Sequence, residues 1–191
     1  MIKIPKVATL LLALILSGCQ STPTSVVLNP QLDASPSGAA VQLQVRDQRA
    51  HNYIMRVNSS EDSAEFATAD PSLASLISTA LGERWVISET ADAKLEIIIR
   101  DALLVIKQGS LRHDTEHTLS LQTKLTTPST DFKKTFSGNR TSNGPLRADR
   151  VRVSREFEEL LATVLSEIAN DEALNRHIDE ALSSHLQEAQ P

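Results

Sequence analysis

The run His113-Asp114-Thr115-Glu116-His117 holds the sharpest chemical possibility in the chain, because two imidazoles and a carboxylate spaced H-x-x-E-H can make a zinc site. That chemistry needs a helix, which would aim both rings at one metal and set Glu116 against its bound water. The neighbours predict a strand instead. Leu119, Leu121 and Leu125 alternate with Ser120, Gln122 and Lys124, with Thr123 in the apolar register. On a strand His113 and His117 share one face and Glu116 takes the other, and a third ligand would have to come from elsewhere. The expectation is therefore solvated strand residues and no metal, with adventitious metal binding by the two histidines as the lesser alternative. Arg147, Arg150, Arg152 and Arg155 place four guanidinium groups in nine residues, enough to meet a phosphate or carboxylate ligand. Their plainer reading is a solvated helix start paired with Asp149, Glu156 and Glu158. Asp47 and Arg49 could line a binding edge or form a structural ion pair at a strand end. His51, His177 and His185 stand isolated among polar residues. Ser110 and Ser137-Gly138 lack a placed base, and neither a nucleophile elbow nor a phosphate or dinucleotide glycine loop occurs. No catalytic residue, cofactor or enzyme activity is expected.

The elements that must carry these residues follow from periodicity. Val41, Leu43 and Val45 alternate with polar residues as a half-buried strand running into Asp47-Gln48-Arg49, and the polar stretch to Thr68 reads as loop or irregular edge strand. Asp70-Pro71 offers an N-cap and a first helical position, followed by the stripe Leu73, Leu76, Ile77, Ala80, Leu81, with Gly82 placed to close the helix in a left-handed conformation. The branched runs Ile97-Ile98-Ile99 and Leu103-Leu104-Val105-Ile106 predict a strand. A turn at Gln108-Gly109 leads to the Leu119–Leu125 strand, and Pro128 to Asp131 leads to a strand marked by Phe132 and Phe136. Gly138 to Pro145 reads as a polar loop. Phe157, Leu160, Leu161, Val164, Leu165 and Ile168 then form a helical stripe, and Leu174, Ile178, Ala181 and Leu182 a second, shorter one. The order strand, helix, three-stranded meander, helix predicts one α+β domain over 41–188, with helices packed on one face of a mostly antiparallel sheet.

The N-terminus addresses the chain. Lys3 and Lys6 precede the apolar run Val7 to Leu16, which is too short for a bilayer span of about 20 residues and has the build of an export signal over 1–18. Leu16-Ser17-Gly18-Cys19 resembles the lipobox of bacterial lipoproteins. Cys19 is the sole cysteine, and a thioether to lipid would protect it in an oxidising compartment. Each buried methylene is worth about 0.8 kcal/mol, so the triacylated, palmitate-type anchor implied by the resemblance would hold almost permanently. Gln20, where Asp would favour inner-membrane retention, directs the protein to the inner leaflet of the outer membrane, facing the periplasm of a Gram-negative cell. Residues 19–40, rich in Ser, Thr and Pro, read as the lipidated N-terminus and a flexible tether, with Val26-Val27-Leu28 pairing weakly at a sheet edge. The chain has 19 basic and 24 acidic residues, net −5, and loses two further positive charges with the leader. Bulk attraction to nucleic acid is therefore not expected, and aromatics at 3% leave few stacking platforms.

Taken together, the lipobox, Asp47-Gln48-Arg49 after the first strand, Gln108-Gly109 in the meander, and the Val164-Leu165, Ile168, Asp171 and Ile178 spacing resemble the YajG-type outer-membrane lipoproteins, a functionally uncharacterised family. The resemblance spans most of the mature chain and implies a location rather than a chemistry. Its association with a muropeptide permease implies envelope or peptidoglycan physiology. The expected function is an envelope accessory or assembly module that binds another envelope protein, with Lys107 to Thr118 as partner surface. A binder of a cell-wall fragment or lipid between sheet and helices is the alternative, and a metal-dependent hydrolase the weakest reading.

Overall fold

The computed structural model describes residues 24–60 and 63–188; the expected leader and Cys19 lie outside the described residues. Eleven elements follow one another: β1 (Thr24–Val26), β2 (Ala40–Asp47), β3 (Tyr53–Ser60), β4 (Ser63–Ala69), α1 (Leu73–Gly82), β5 (Val86–Ile87), β6 (Lys94–Gln108), β7 (Arg112–Thr126), β8 (Asp131–Pro145), α2 (Arg150–Ala169) and α3 (Glu172–Glu188).

The spine of the sheet is β6. On one side it pairs antiparallel with β7 from Lys94↔Thr126 to Gln108↔His113, and β7 pairs antiparallel with β8 along its whole length, giving the expected meander. The other side of β6 is shared between two strands. β2 runs parallel to it from Gln42↔Lys94 to Asp47↔Ile99, and β3 takes over from Met55↔Leu104 to Asn58↔Lys107. β4 folds back antiparallel on β3, β1 lies parallel on β4, and β5 lies parallel on β2. Four of these seven pairings are parallel, so the expectation of a mostly antiparallel sheet is corrected to a mixed one. Parallel neighbours need a crossover rather than a hairpin, and α1 supplies it between β2 and β6. Where the sheet forks, β6 bulges between Ile99 and Asp101. The extra residue shifts the alternation, so Leu95, Ile97 and Ile99 before it and Ala102, Leu104 and Ile106 after it all reach the same core.

All three described helices share that core, which Phe157, Leu161, Val164, Leu165 and Ile168 of α2 enter at the predicted helical spacing. Ile77 and Leu81 of α1 and Leu174 and Ile178 of α3 complete it. Each such side chain, fully buried, contributes roughly 1.5–3 kcal/mol. Thr123 is fully buried in the leucine register of β7, as its spacing predicts.

Several local expectations are corrected. The stretch before Thr68 forms β3 and β4, whose buried residues Ile54, Met55, Val57 and Ala67 break clean alternation because the register shifts within the pair. Gly138 to Pro145 is strand rather than loop. The first helix begins at Leu73 with Ser72 as its cap, the Ser72 side chain accepting the Ser75 N–H. Asp70 instead donates its own N–H to the Val26 carbonyl and so ties β1 to the end of β4. Gly82 is the last residue of α1, yet no described glycine has a positive φ. Finally, the expected tether over 24–40 lies on the domain. Val26, Leu28 and Ala39 are buried, while the Asn29 and Asp33 N–H groups bond the Glu158 and Ser166 side chains of α2.

Candidate functional site

The two histidines of the H-x-x-E-H run stand on one face of β7 and Glu116 on the other, where Glu116 lies 3.7 Å from Lys107. The expectation of solvated histidines is corrected, because His113 is 3% exposed and His117 is inaccessible. Among the described residues no three His, Cys, Asp or Glu side chains come together as a metal site. What covers the pair is the start of α2, and a chain of hydrogen bonds crosses between them. Arg152 can only donate, so its Nη2 contact at 3.2 Å makes Nε2 of His113 an acceptor and puts the ring proton on Nδ1, which donates to the Leu146 carbonyl at 3.2 Å. Arg152 also donates to Glu156 Oε1 at 2.6 Å, and the Ser142 hydroxyl donates to Glu156 Oε2 at 2.7 Å. With its proton so placed, Ser142 accepts from Thr115 at 2.6 Å. His117 is outside this chain: neither ring nitrogen has a partner, and Glu156 Oε2 at 3.6 Å is beyond hydrogen-bond reach. Burial pushes the His117 pKa down, only partly opposed by the Glu156 charge, which keeps the ring neutral near pH 7.

Two glycines make room for this arrangement. A Cβ on Gly144 would sit 2.7 Å from His113 Cε1, and one on Gly138 would sit 2.6 Å from Leu160 Cδ1 on α2. Glycine inside a strand marks such close approaches. These residues, with Arg140 and Ser142 at the same two-residue spacing after Phe136, were the available sign that the polar stretch is strand.

The four arginines do not form one cluster, although Arg150 and Arg155 both line a groove at the start of α2. Arg152, its side chain 45% exposed, reaches from the surface into the hydrogen-bond chain, whereas Arg150 pairs with Glu65 of β4. The Arg150 hydrogen bond and charge, with a smaller contribution from the Arg147 charge, hold the Glu65 carboxyl below its ordinary range. Arg155 is exposed, and among the described residues it has no ion pair. Asp47 and Arg49 form the structural pair. Arg49 binds Asp47 through Nε at 2.9 Å and Nη2 at 2.7 Å. Its Nη1 donates to the carbonyls of Tyr53 and Ala102 at 3.0 and 2.8 Å. The guanidinium, 3% exposed, thus plugs the fork where β6 has left β2 and not yet met β3. Burial raises the Asp47 pKa, but the Arg49 hydrogen bonds and charge outweigh it and leave the carboxyl below its usual range.

Among the described residues, two of the open surfaces bear most directly on a partner or ligand. The meander region Lys107 to Thr118 cannot accept a strand, since β7 is already paired on both sides. The outer edge of β8, in contrast, has no strand beside it among the described residues. The second surface is a groove of about 470 Å³ lined by Ser25, Val26, Val27, Met55 and the first turns of α2.

Comparison with known proteins agrees with the fold and is silent on chemistry. A DUF330 protein from Xanthomonas campestris shares 18% identity at TM-score 0.56, over 82% of this chain and 99% of that one. The crystal structure of an uncharacterised protein shares 11% at TM-score 0.52, over 78% and 99%. The PelC L103M dodecamer from Paraburkholderia phytofirmans overlaps only at TM-score 0.36, with 16% identity over 74% and 95%. No curated protein matches. The model of an uncharacterised lipoprotein family, Lipoprotein_16, matches residues 27–179, from just after β1 into the first half of α3, and the chain therefore belongs to the YajG-type family of uncharacterised lipoproteins.

Proposed function

We propose that this protein is a non-enzymatic binding module of the bacterial envelope. It is exported by its leader, acylated at Cys19, held in the inner leaflet of the outer membrane and turned toward the periplasm. There it binds another envelope protein by strand addition. The observation that carries this reading is the free edge of β8, which runs the full Asp131–Pro145 length beside β7 and has no strand on its other side among the described residues. A long open edge presents backbone donors and acceptors to a second chain, and proteins ordinarily shorten or cover such edges. Lys134 and Arg140 of the strand are already paired with Asp171 and Glu159 of the helices, so main-chain pairing rather than charge would hold the partner strand.

The test is photo-crosslinking in living cells from single positions on the full chain. Crosslinkers at Asn139 and Asn143 on β8 should capture the same protein, and one at exposed Ser78 on α1 should not. Cys19→Ala should abolish the capture by misplacing the domain. Equal labelling from all three positions would overturn strand addition at this edge.

A further inference from the structure

The groove at the start of α2 combines an apolar interior with surplus positive charge. Buried Val26 and Met55 contribute to its lining, while Val27 and Val151 stand 75% and 70% exposed at its lips. Aliphatic side chains this exposed on both sides of one groove leave water-facing apolar surface that an apolar occupant would cover. Of the acids nearby, Glu158 accepts the Asn29 N–H at 2.8 Å and Glu65 holds Arg150. Arg155 lines the groove without an ion pair among the described residues, and Arg147 stands near enough to depress the Glu65 pKa. Two arginines, Arg150 and Arg155, and one carboxylate, Glu158, therefore line the groove, on a chain whose net charge is −5.

Position selects among amphiphilic anions. Ser25 lines the groove and follows Cys19 by six residues, a span of at most about 20 Å when fully extended. If Cys19 is acylated, as proposed above, the groove is held beside the leaflet that anchors it. We propose that this groove takes one anionic phospholipid from that leaflet. The phosphate sits at Arg155 with Arg150, and acyl carbons lie along Val26, Val27, Met55 and Val151. A volume of about 470 Å³ accommodates part of such a lipid and leaves the rest in the membrane. Basic pockets beside a membrane recognise anionic headgroups by the same combination of charge and adjoining apolar surface.

The experiment uses the mature full-length lipoprotein in neutral detergent, followed by native mass spectrometry while phosphatidylglycerol, phosphatidylcholine or inorganic phosphate is titrated. One phosphatidylglycerol should be retained with a preference of about tenfold or more over phosphatidylcholine, as expected for a charge-assisted contact. Arg155→Glu and Val151→Glu, both at exposed positions, should each weaken retention by about tenfold while leaving the melting temperature unchanged. Equal retention of the two lipids, retention unaffected by both substitutions, or displacement of the lipid by inorganic phosphate alone would overturn the proposal. The protein's own mass reports acylation in the same spectra. An unacylated Cys19 would defeat the anchor reading separately, whether or not the groove binds lipid.

Discussion

One face of one strand encloses two different interiors in this protein. Along the C-terminal half of β7, Leu119, Leu121 and Leu125 are buried in the common core and need nothing but close neighbours. Along the N-terminal half, His113, Thr115 and His117 occupy the same row, equally hidden, beneath the first turns of α2. There each polar atom needs a partner. The chain from the Leu146 carbonyl through His113, Arg152, Glu156 and Ser142 to Thr115 supplies partners for all but His117. The difference separates two sources of order. Apolar burial stabilises without demanding one geometry, whereas a buried polar chain is costly unless every member is placed, and so it fixes how α2 sits on the sheet.

The largest effect should come from the apolar half. Leu121→Ala removes a fully buried side chain and should cost about 2–5 kcal/mol in equilibrium denaturation, with the spread set by how far the cavity collapses. A cost no greater than that of a surface substitution would erase the contrast. Next comes Glu156→Ala, which leaves the Ser142 hydroxyl and the Arg152 guanidinium without their acceptor and should cost about 1–3 kcal/mol. Glu156→Gln keeps an acceptor for Ser142 and should lose less. Equal losses in the two variants would assign the effect to the Arg152 charge pair rather than to the hydroxyl chain.

The smallest effect sharpens the comparison through pH. The folded His117 pKa lies below its ordinary 6.5, so the unfolded chain takes up this proton first. Stability should therefore fall as pH drops below about 6.5, until the folded ring is protonated as well. Asp47 and Asp171 also have lowered pKa values, and their contributions are lost only below 3.8. His117→Leu should remove the early part of the acid sensitivity and leave the later part intact, as read by melting temperature between about pH 7 and pH 5. An unchanged early slope would place its origin elsewhere.

The halves also differed in how visible they were. The leucine alternation of β7, the branched runs of β6 and the stripes of α2 and α3 are local patterns, and each became the element it implied. β4 was legible only as loop or irregular edge strand because its one buried side chain is an alanine, Ala67, which carries little hydrophobic signal. The second half of β8 escaped because Gly138 and Gly144 read as loop residues, although each admits a neighbouring side chain. Glu156 was legible only as a partner of the arginine run, which it is for Arg152, and Ser142 carried no signal, since the polar chain they share exists only where α2 crosses β7 and β8.

Sequence alone determined the helices, the meander and the lipoprotein family, because periodicity and short motifs act over a few residues and need no distant partner. Only the tertiary structure decided the rest. β2 and β3 share one side of β6, and Arg49 fills the fork with a guanidinium whose carbonyl partners lie 4 and 53 residues away. The arginine run divides among a buried network, an ion pair and an open groove. Those outcomes depend on which segments meet across the fold, and that is set by the summed burial of the whole core rather than by any local stretch of chain.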